Sequence, residues 1–153
     1  MVVRNPYKAL ISYWNFLKIG WPRVVKIEEV KLSGFNTSDF RNFVFLGIYR
    51  WFELIDDWVT FGSDIYFIFY EELKENPSEE MRKLMMHLNL SVDENRLACL
   101  SRHLSGSFHR ASKDTDDPFT KEHHFIISHT VEKVQKMLKD HLGINMPSYS
   151  YPM

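Results

Sequence analysis

The chain has 153 residues, 44% apolar and 25% charged, a profile of a globular protein long enough to bury about 68 to 70% of its unfolded surface. Its net charge of −1 offers no global positive excess for nucleic acid, and no apolar run reaches the ~18 to 20 residues of a membrane helix. The six glycines, at 20, 34, 47, 62, 106 and 143, are too scattered for a phosphate-cradling loop, which excludes a standard P-loop or dinucleotide fingerprint within the chain.

Met1 to Val3 are apolar and run directly into Arg4-Asn5-Pro6, after which Tyr7, Leu10, Ile11, Trp14 and Leu17 recur at helical spacing. With Asn5 as N-cap and Pro6 at the first helical position, the opening is predicted to be strand, tight turn, helix. Residues 20 to 37, with Gly20, Pro22 and Gly34, are expected to form a surface loop. Thr37 or Ser38 starts a second helix whose Phe40, Phe43, Val44, Trp51, Leu54, Ile55 and Trp58 form one broad apolar face, expected to be core. Gly62 ends that helix, and the run Ile65 to Phe69 suits a buried parallel strand in the same sheet as the first.

The remainder is helical in pattern. Pro77 to Leu88 places Met81, Leu84, Met85 and Leu88 on one side, and Ser91 with Glu94 suggests a capping box before Leu97. After a polar stretch from Ser105 to Asp117, Thr120 caps a long helix that ends near Leu142 at Gly143, and residues 145 to 153 are expected to be extended. No Pro/Gly/Ser linker divides the chain, so a single fold is predicted. Cys99, the one cysteine, forms no internal disulfide and is expected to be packed on a helix face.

Parallel sheets present ligands just beyond the carboxyl ends of their strands. Arg4 stands after the first predicted strand and before a helix N-terminus, where a guanidinium and the positive end of a helix dipole both favour an anion. Ser12 lies about two turns into that helix, and Tyr70 directly follows the second predicted strand. Each has a plainer reading. Ser12 can bond its own helix backbone, Tyr70 can be a core-edge residue, and Arg4 an ion-paired surface arginine.

Val3-Arg4-Asn5-Pro6, Ser12-Tyr13 and Tyr70-Glu71-Glu72-Leu73-Lys74-Glu75-Asn76-Pro77 together resemble the nucleotide 3'-phosphate motif and a later segment of sulfotransferases that use 3'-phosphoadenosine 5'-phosphosulfate. Gly106-Ser107-Phe108-His109-Arg110, followed by Asp117-Pro118-Phe119-Thr120, looks most like the WSC-domain-containing branch of that superfamily. The resemblance implies an α/β, P-loop-NTPase-like sulfotransferase fold, present in part, with few parallel strands and a mostly helical C-terminal half. It implies that Arg4 and Ser12 hold the donor's 3'-phosphate and that Tyr70 contacts the adenine. Phe108 matches an aromatic that closes over the adenine in cytosolic members, although a lid over the protein's own core is an equal reading. Arg110 and Lys113 are positional candidates for a further phosphate contact.

Two departures accompany the resemblance. The downstream Arg-Lys-Gly loop of cytosolic members is missing. The family's phosphosulfate loop and catalytic base lie upstream of the arginine motif, and this sequence begins three residues before Arg4. The expectation is therefore a single partial domain over 1–153 whose phosphosulfate-loop portion is absent, with no catalytic residue assigned. By resemblance the activity is sulfuryl transfer to a hydroxyl acceptor on a glycan or glycoconjugate, without nucleic acid, and a longer protein would belong in the Golgi. The competing readings are a truncated, non-catalytic module that binds a nucleotide or partner, and a helical scaffold with an accidental motif.

Other motifs read more simply. His123, His124 and His129 lack the i, i+4 spacing of a two-histidine metal site, and no metal is expected. Asp114, Asp116 and Asp117 are expected to be solvent-facing charge. Asn36-Thr37-Ser38 and Asn89-Leu90-Ser91 fit the N-glycosylation pattern, which is compatible with a secretory protein.

Overall fold

The computed structural model describes residues 1–19, 34–102 and 117–151. The chain divides into two compact units, one of Met1–Arg4 with Asp64–Asp114 and one of Asn5–Ser63 with Thr115–Met153. Most described residues are helical, and the strands form one two-stranded sheet.

In the first unit, β1 (Val2–Val3) pairs in parallel with β2 (Ile68–Phe69), Val2 opposite Ile68 and Val3 opposite Phe69. The Met1 ammonium donates to the Tyr66 carbonyl at 2.6 Å, and Ile68 N–H donates to the Met1 carbonyl at 2.8 Å. β2 is shorter than the apolar run from Ile65 predicts: Ile68 and Phe69 are the residues that pair with β1. Val3, Phe67, Ile68 and Phe69 are buried, as a parallel pair requires.

Three helices follow: α3 (Tyr70–Glu75), α4 (Pro77–His87) and α5 (Glu94–Arg102). Pro77 opens α4 at its first turn, where a missing N–H has no consequence. Arg82 ties α4 to α5, donating to Glu79 at 2.9 Å and to Glu94 at 2.8 Å. The predicted Ser91 cap is replaced by Asp93, whose Oδ1 accepts from the backbone N–H groups of Asn95 and Arg96. A carboxylate accepts these bonds more strongly than a hydroxyl and complements the helix dipole as well. Cys99 is exposed rather than packed; in the same helix Leu97 is buried.

The second unit is built on α1 (Pro6–Ile19), α2 (Ser38–Phe61) and α6 (Lys121–Leu142). Every predicted cap of these helices is present. Asn5 Oδ1 accepts from Tyr7 N–H at 3.0 Å, and the Thr37 hydroxyl accepts from Phe40 N–H at 3.1 Å. Gly143 closes α6 at φ 67°, the left-handed geometry that favours glycine. Because Thr37 is a working N-cap, its hydroxyl already has a structural role within the Asn36-Thr37-Ser38 triplet.

α2 packs against both α1 and α6. Phe40, at the centre, meets the rings of Trp14, Phe35, Phe43, Phe119 and His123 at centroid distances of 5.0 to 6.3 Å. Leu10 sits so close to Gly47 that an added Cβ there would overlap its Cδ2. From α6, His123, Ile127, Val131, Val134 and Leu138 are buried at 3- and 4-residue spacing.

The apolar stripe of α2 is only partly core. Phe40, Val44, Ile48 and Ile55 are buried, whereas Leu54, Trp58 and Phe61 are exposed, Phe61 at 83%. α2 is 24 residues long and α1 only 14, so at about 1.5 Å per residue α1 is too short to cover the full face. Its ring contacts go to Phe40 and Phe43, in the first half of α2.

His123 has two roles in this unit. Its Nδ1 accepts from Thr120 N–H at 3.2 Å while its own N–H donates to the Thr120 hydroxyl, a capping box with histidine in the usual Glu or Gln place. Its ring is 1% exposed and lies against Phe40, Phe45 and Phe119. Burial holds its imidazole below the ordinary 6.5, against an opposing pull from Glu122 and with Arg41 and His124 acting in the same direction as burial. As pH falls below 6.5 the unfolded imidazole takes a proton that the folded one refuses, so stability falls with acidification. His123→Gln retains the box and removes the titration. Thermal melts from pH 7 to 5 are expected to show a shallower loss of Tm for the variant than for the wild type.

Candidate functional site

The register of the two strands determines what stands beyond them. Since Val3 lies opposite Phe69, the next residue of each strand, Arg4 and Tyr70, is brought beside the other. The Arg4 guanidinium carbon lies 4.8 Å from the centroid of the Tyr70 ring. Such a cation–π contact at a partly exposed position contributes about 0.5 to 1 kcal/mol. Arg4 is half-buried and Tyr70 is 38% exposed. Tyr70 is also the first residue of α3, preceded by Phe69 as a cap without a side-chain hydrogen bond.

Ser12 lies on α1 and is half-buried. It belongs to the second unit, whereas Arg4 and Tyr70 belong to the first. Phe108, Arg110 and Lys113 lie outside the described residues, as do Gly106, Ser107, Asp114 and Asp116.

Close behind Tyr70, Glu72 has a carboxyl raised above its ordinary 4.5, chiefly by burial and then by Glu80, with Lys83 opposing. Glu80 is buried and its Oε1 accepts from Lys83 Nζ at 2.7 Å. Burial and the Glu80 charge also raise the Tyr66 phenol.

The start of α1 carries a polar array that sequence reasoning missed. Asp117, expected to be free surface charge, accepts from Phe119 N–H at 2.9 Å and pairs with His124 Nε2 at 2.6 Å. His124 Nδ1 is 3.3 Å from the Tyr7 hydroxyl, which is 3.1 Å from Ser128 Oγ. Around them the rings of Tyr7, Phe119, His124 and Tyr151 pack in mutual contact at 5.2 to 6.0 Å. Tyr7 and His124 are 117 positions apart, so no local pattern marks the pair. The single available signal was Asp117 immediately before a Pro-Phe-Thr helix start.

The family model for the sulfotransferase domain matches residues 1–143. The chain belongs to the sulfotransferase-domain family. It is 27% identical over 108 residues to mouse sulfotransferase 1A1, covering 68% of this chain and 35% of that protein. It is 24% identical over 140 residues to a WSCD family member of Aedes aegypti, covering 90% of this chain and 44% of that protein. Rat sulfotransferase 1A1 is similar at 25% identity over 108 residues, covering 68% of this chain and 35% of that protein. The chain thus spans less than half the length of these curated relatives. No solved structure gives a significant match. The relatives include both sulfotransferase 1A1 and a WSCD family member, in accord with the resemblance seen in the sequence. Among the described residues no helix is long and apolar enough to cross a membrane, and no group of three or more His, Cys, Asp and Glu could hold a metal ion.

For this sulfotransferase-domain chain the electrostatics behind Tyr70 give a direct expectation. Because the folded state raises the Glu72 carboxyl above 4.5, the folded form holds its proton longer than the unfolded form, and stability falls as pH rises through that window. Glu72→Gln removes the charge. The variant is expected to melt higher than the wild type at pH 7, with the difference closing at pH 4.

Proposed function

We propose that this chain forms the nucleotide-binding part of an enzyme that transfers a sulfuryl group from 3'-phosphoadenosine 5'-phosphosulfate to a hydroxyl acceptor on a glycan. The observation that carries this reading is the Arg4–Tyr70 pair beyond the in-register ends of two parallel strands, where α/β sheets bind their ligands. The fold class it implies is the P-loop-NTPase-like sulfotransferase fold. Family membership supports the donor, since sulfuryl transfer in this family draws on that nucleotide.

The division of roles is the one the family resemblance implies, and chemistry accords with it. The 3'-phosphate is a compact anion that a guanidinium can meet with two parallel N–H···O bonds. Arg4, steadied by the Tyr70 ring, is the group for that contact, and the Ser12 hydroxyl adds a neutral hydrogen bond. Tyr70 presents an aromatic ring for adenine, because every base has a π-face on which such a ring can stack. Phe108 and Arg110 complete the reading as an aromatic cover and a further phosphate contact. When bound, the donor supplies the activated sulfuryl group; the chain's part is to hold and orient its nucleotide end.

Sulfuryl transfer also requires a base for the acceptor hydroxyl and stabilisation of charge on the bridging oxygen. No residue of this chain is assigned to either task. The glycan acceptor and a Golgi location rest on likeness to the WSC-domain branch, and the two sequons accord with both.

Isothermal calorimetry with 3'-phosphoadenosine 5'-phosphate tests the reading. Losing the charge-assisted contact in Arg4→Ala is expected to cost about 1.5 to 3 kcal/mol, roughly ten- to more than a hundredfold in Kd. Ser12→Ala is expected to lose about three- to tenfold. Adenosine 5'-phosphate, without the 3'-phosphate, should respond to neither substitution. Unchanged affinity in Arg4→Ala removes the 3'-phosphate assignment.

A further inference from the structure

The first turn of α1 is fastened by residues far away in the chain. Asn5, besides capping the helix, donates from Nδ2 to the Ser150 carbonyl at 3.2 Å. Tyr7 is 1% exposed, its ring enclosed by Phe119, His124 and Tyr151. Its hydroxyl reaches His124 Nδ1, Ser128 Oγ and the His124 carbonyl oxygen.

The protons in this array have one economical arrangement with a neutral imidazole. Nε2–H donates to the Asp117 carboxylate at 2.6 Å, which leaves Nδ1 as an acceptor. The Tyr7 hydroxyl has two acceptors within reach, Nδ1 at 3.3 Å and the His124 carbonyl at 3.4 Å; donation to the nearer Nδ1 lets the Ser128 O–H donate to the Tyr7 oxygen. Every hydroxyl and ring nitrogen is satisfied. Asp117 thereby selects the imidazole tautomer that can accept from Tyr7, as a carboxylate does for histidines that must present one nitrogen in a fixed direction.

We propose that His124, oriented by Asp117, is a positioning residue for the nucleotide: through the Tyr7 hydroxyl it fixes the first turn of α1 and so the placement of Ser12. This rests on the reading that Ser12 binds the 3'-phosphate. Ser12 stands five residues beyond Tyr7 on the same helix, about 7.5 Å along its axis. A neutral hydroxyl contact is sensitive to small displacements, since hydrogen bonds weaken steeply with distance and angle. Tyr7 lies in the buried core of the second unit, so its action on a ligand passes through the helix.

The test is a set of calorimetric Kd values for 3'-phosphoadenosine 5'-phosphate, with folding of each variant checked by circular dichroism. Tyr7→Phe, which retains the ring, is expected to weaken binding about three- to tenfold. The same loss is expected in His124→Gln, whose amide retains a donor toward Asp117 but offers nothing at the Nδ1 position. His124→Asn places its side-chain oxygen near the Nδ1 position and is expected to stay within about twofold of the wild type, inside the spread of a weak hydrogen bond. In a Ser12→Ala background the Tyr7→Phe loss should vanish, because the two changes act on one contact.

The outcomes separate cleanly. If Ser12→Ala weakens binding and Tyr7→Phe does not, positioning is overturned while the phosphate reading stands. If Tyr7→Phe and Ser12→Ala losses simply add, or if the Asn and Gln variants behave alike, Tyr7 and His124 act on folding in general and the proposal fails. If Ser12→Ala changes nothing, both the phosphate role of Ser12 and the positioning built on it fall together.

Discussion

Parallel pairing in register is the constraint on which the nucleotide reading depends. Two strands of two residues each make a very small sheet, yet their pairing fixes which residues meet just beyond it. With Val3 opposite Phe69, Arg4 and Tyr70 become neighbours by construction, and the guanidinium settles over the ring. A slip of one residue would turn Val3 and Phe69 to the opposite face and carry Arg4 away from Tyr70. The buried side chains of Val3, Ile68 and Phe69 therefore support a charged contact by holding the register. The Met1 ammonium bond to the Tyr66 carbonyl adds a polar tie at the other end of the ladder.

The second unit solves a different problem, that of holding a helix by its first turn. Helix N-termini leave backbone donors without intrahelical partners, and α1 answers with Asn5, which caps from one side-chain atom and reaches Ser150 from another. Tyr7 adds an aromatic anchor with a polar tip. Its ring contributes apolar burial, while its hydroxyl must find a partner in order not to be a buried orphan. His124 and Ser128 meet that need, and Asp117 sets the proton on His124. A phenylalanine would fill the same space without fixing its orientation through the hydroxyl. The tyrosine thus converts bulk packing into a defined rotational setting of the helix.

Local features were legible in the sequence and long-range ones were not. Asn5-Pro6, Thr37, Thr120 and Gly143 each act within a few residues of the backbone they cap, so their identities alone mark the helix ends. The stripe on α2 misled because periodicity reports which residues share a face, not how far a partner helix extends along it; Leu54 and Trp58 lie beyond the ring contacts of α1. Ser91 lost its predicted role to Asp93 for an electrostatic reason visible only once the helix start is located. The Tyr7–His124 contact joins residues 117 positions apart, and no local pattern marks such a pair.

Those adjacent histidines show how environment assigns chemistry to one residue type. His123 faces Phe40, Phe45 and Phe119, where burial disfavours a charged imidazole. Its nitrogen serves a backbone N–H. His124, rotated about 100° around the helix, is a third exposed and faces a carboxylate, so its other nitrogen serves a side chain from α1. The buried stripe of Ile127, Val131, Val134 and Leu138 sets the phase of both, because at about 100° per residue His123 falls on that stripe and His124 beside it. The polar array at the start of α1 therefore depends on the same spacing that buries α6.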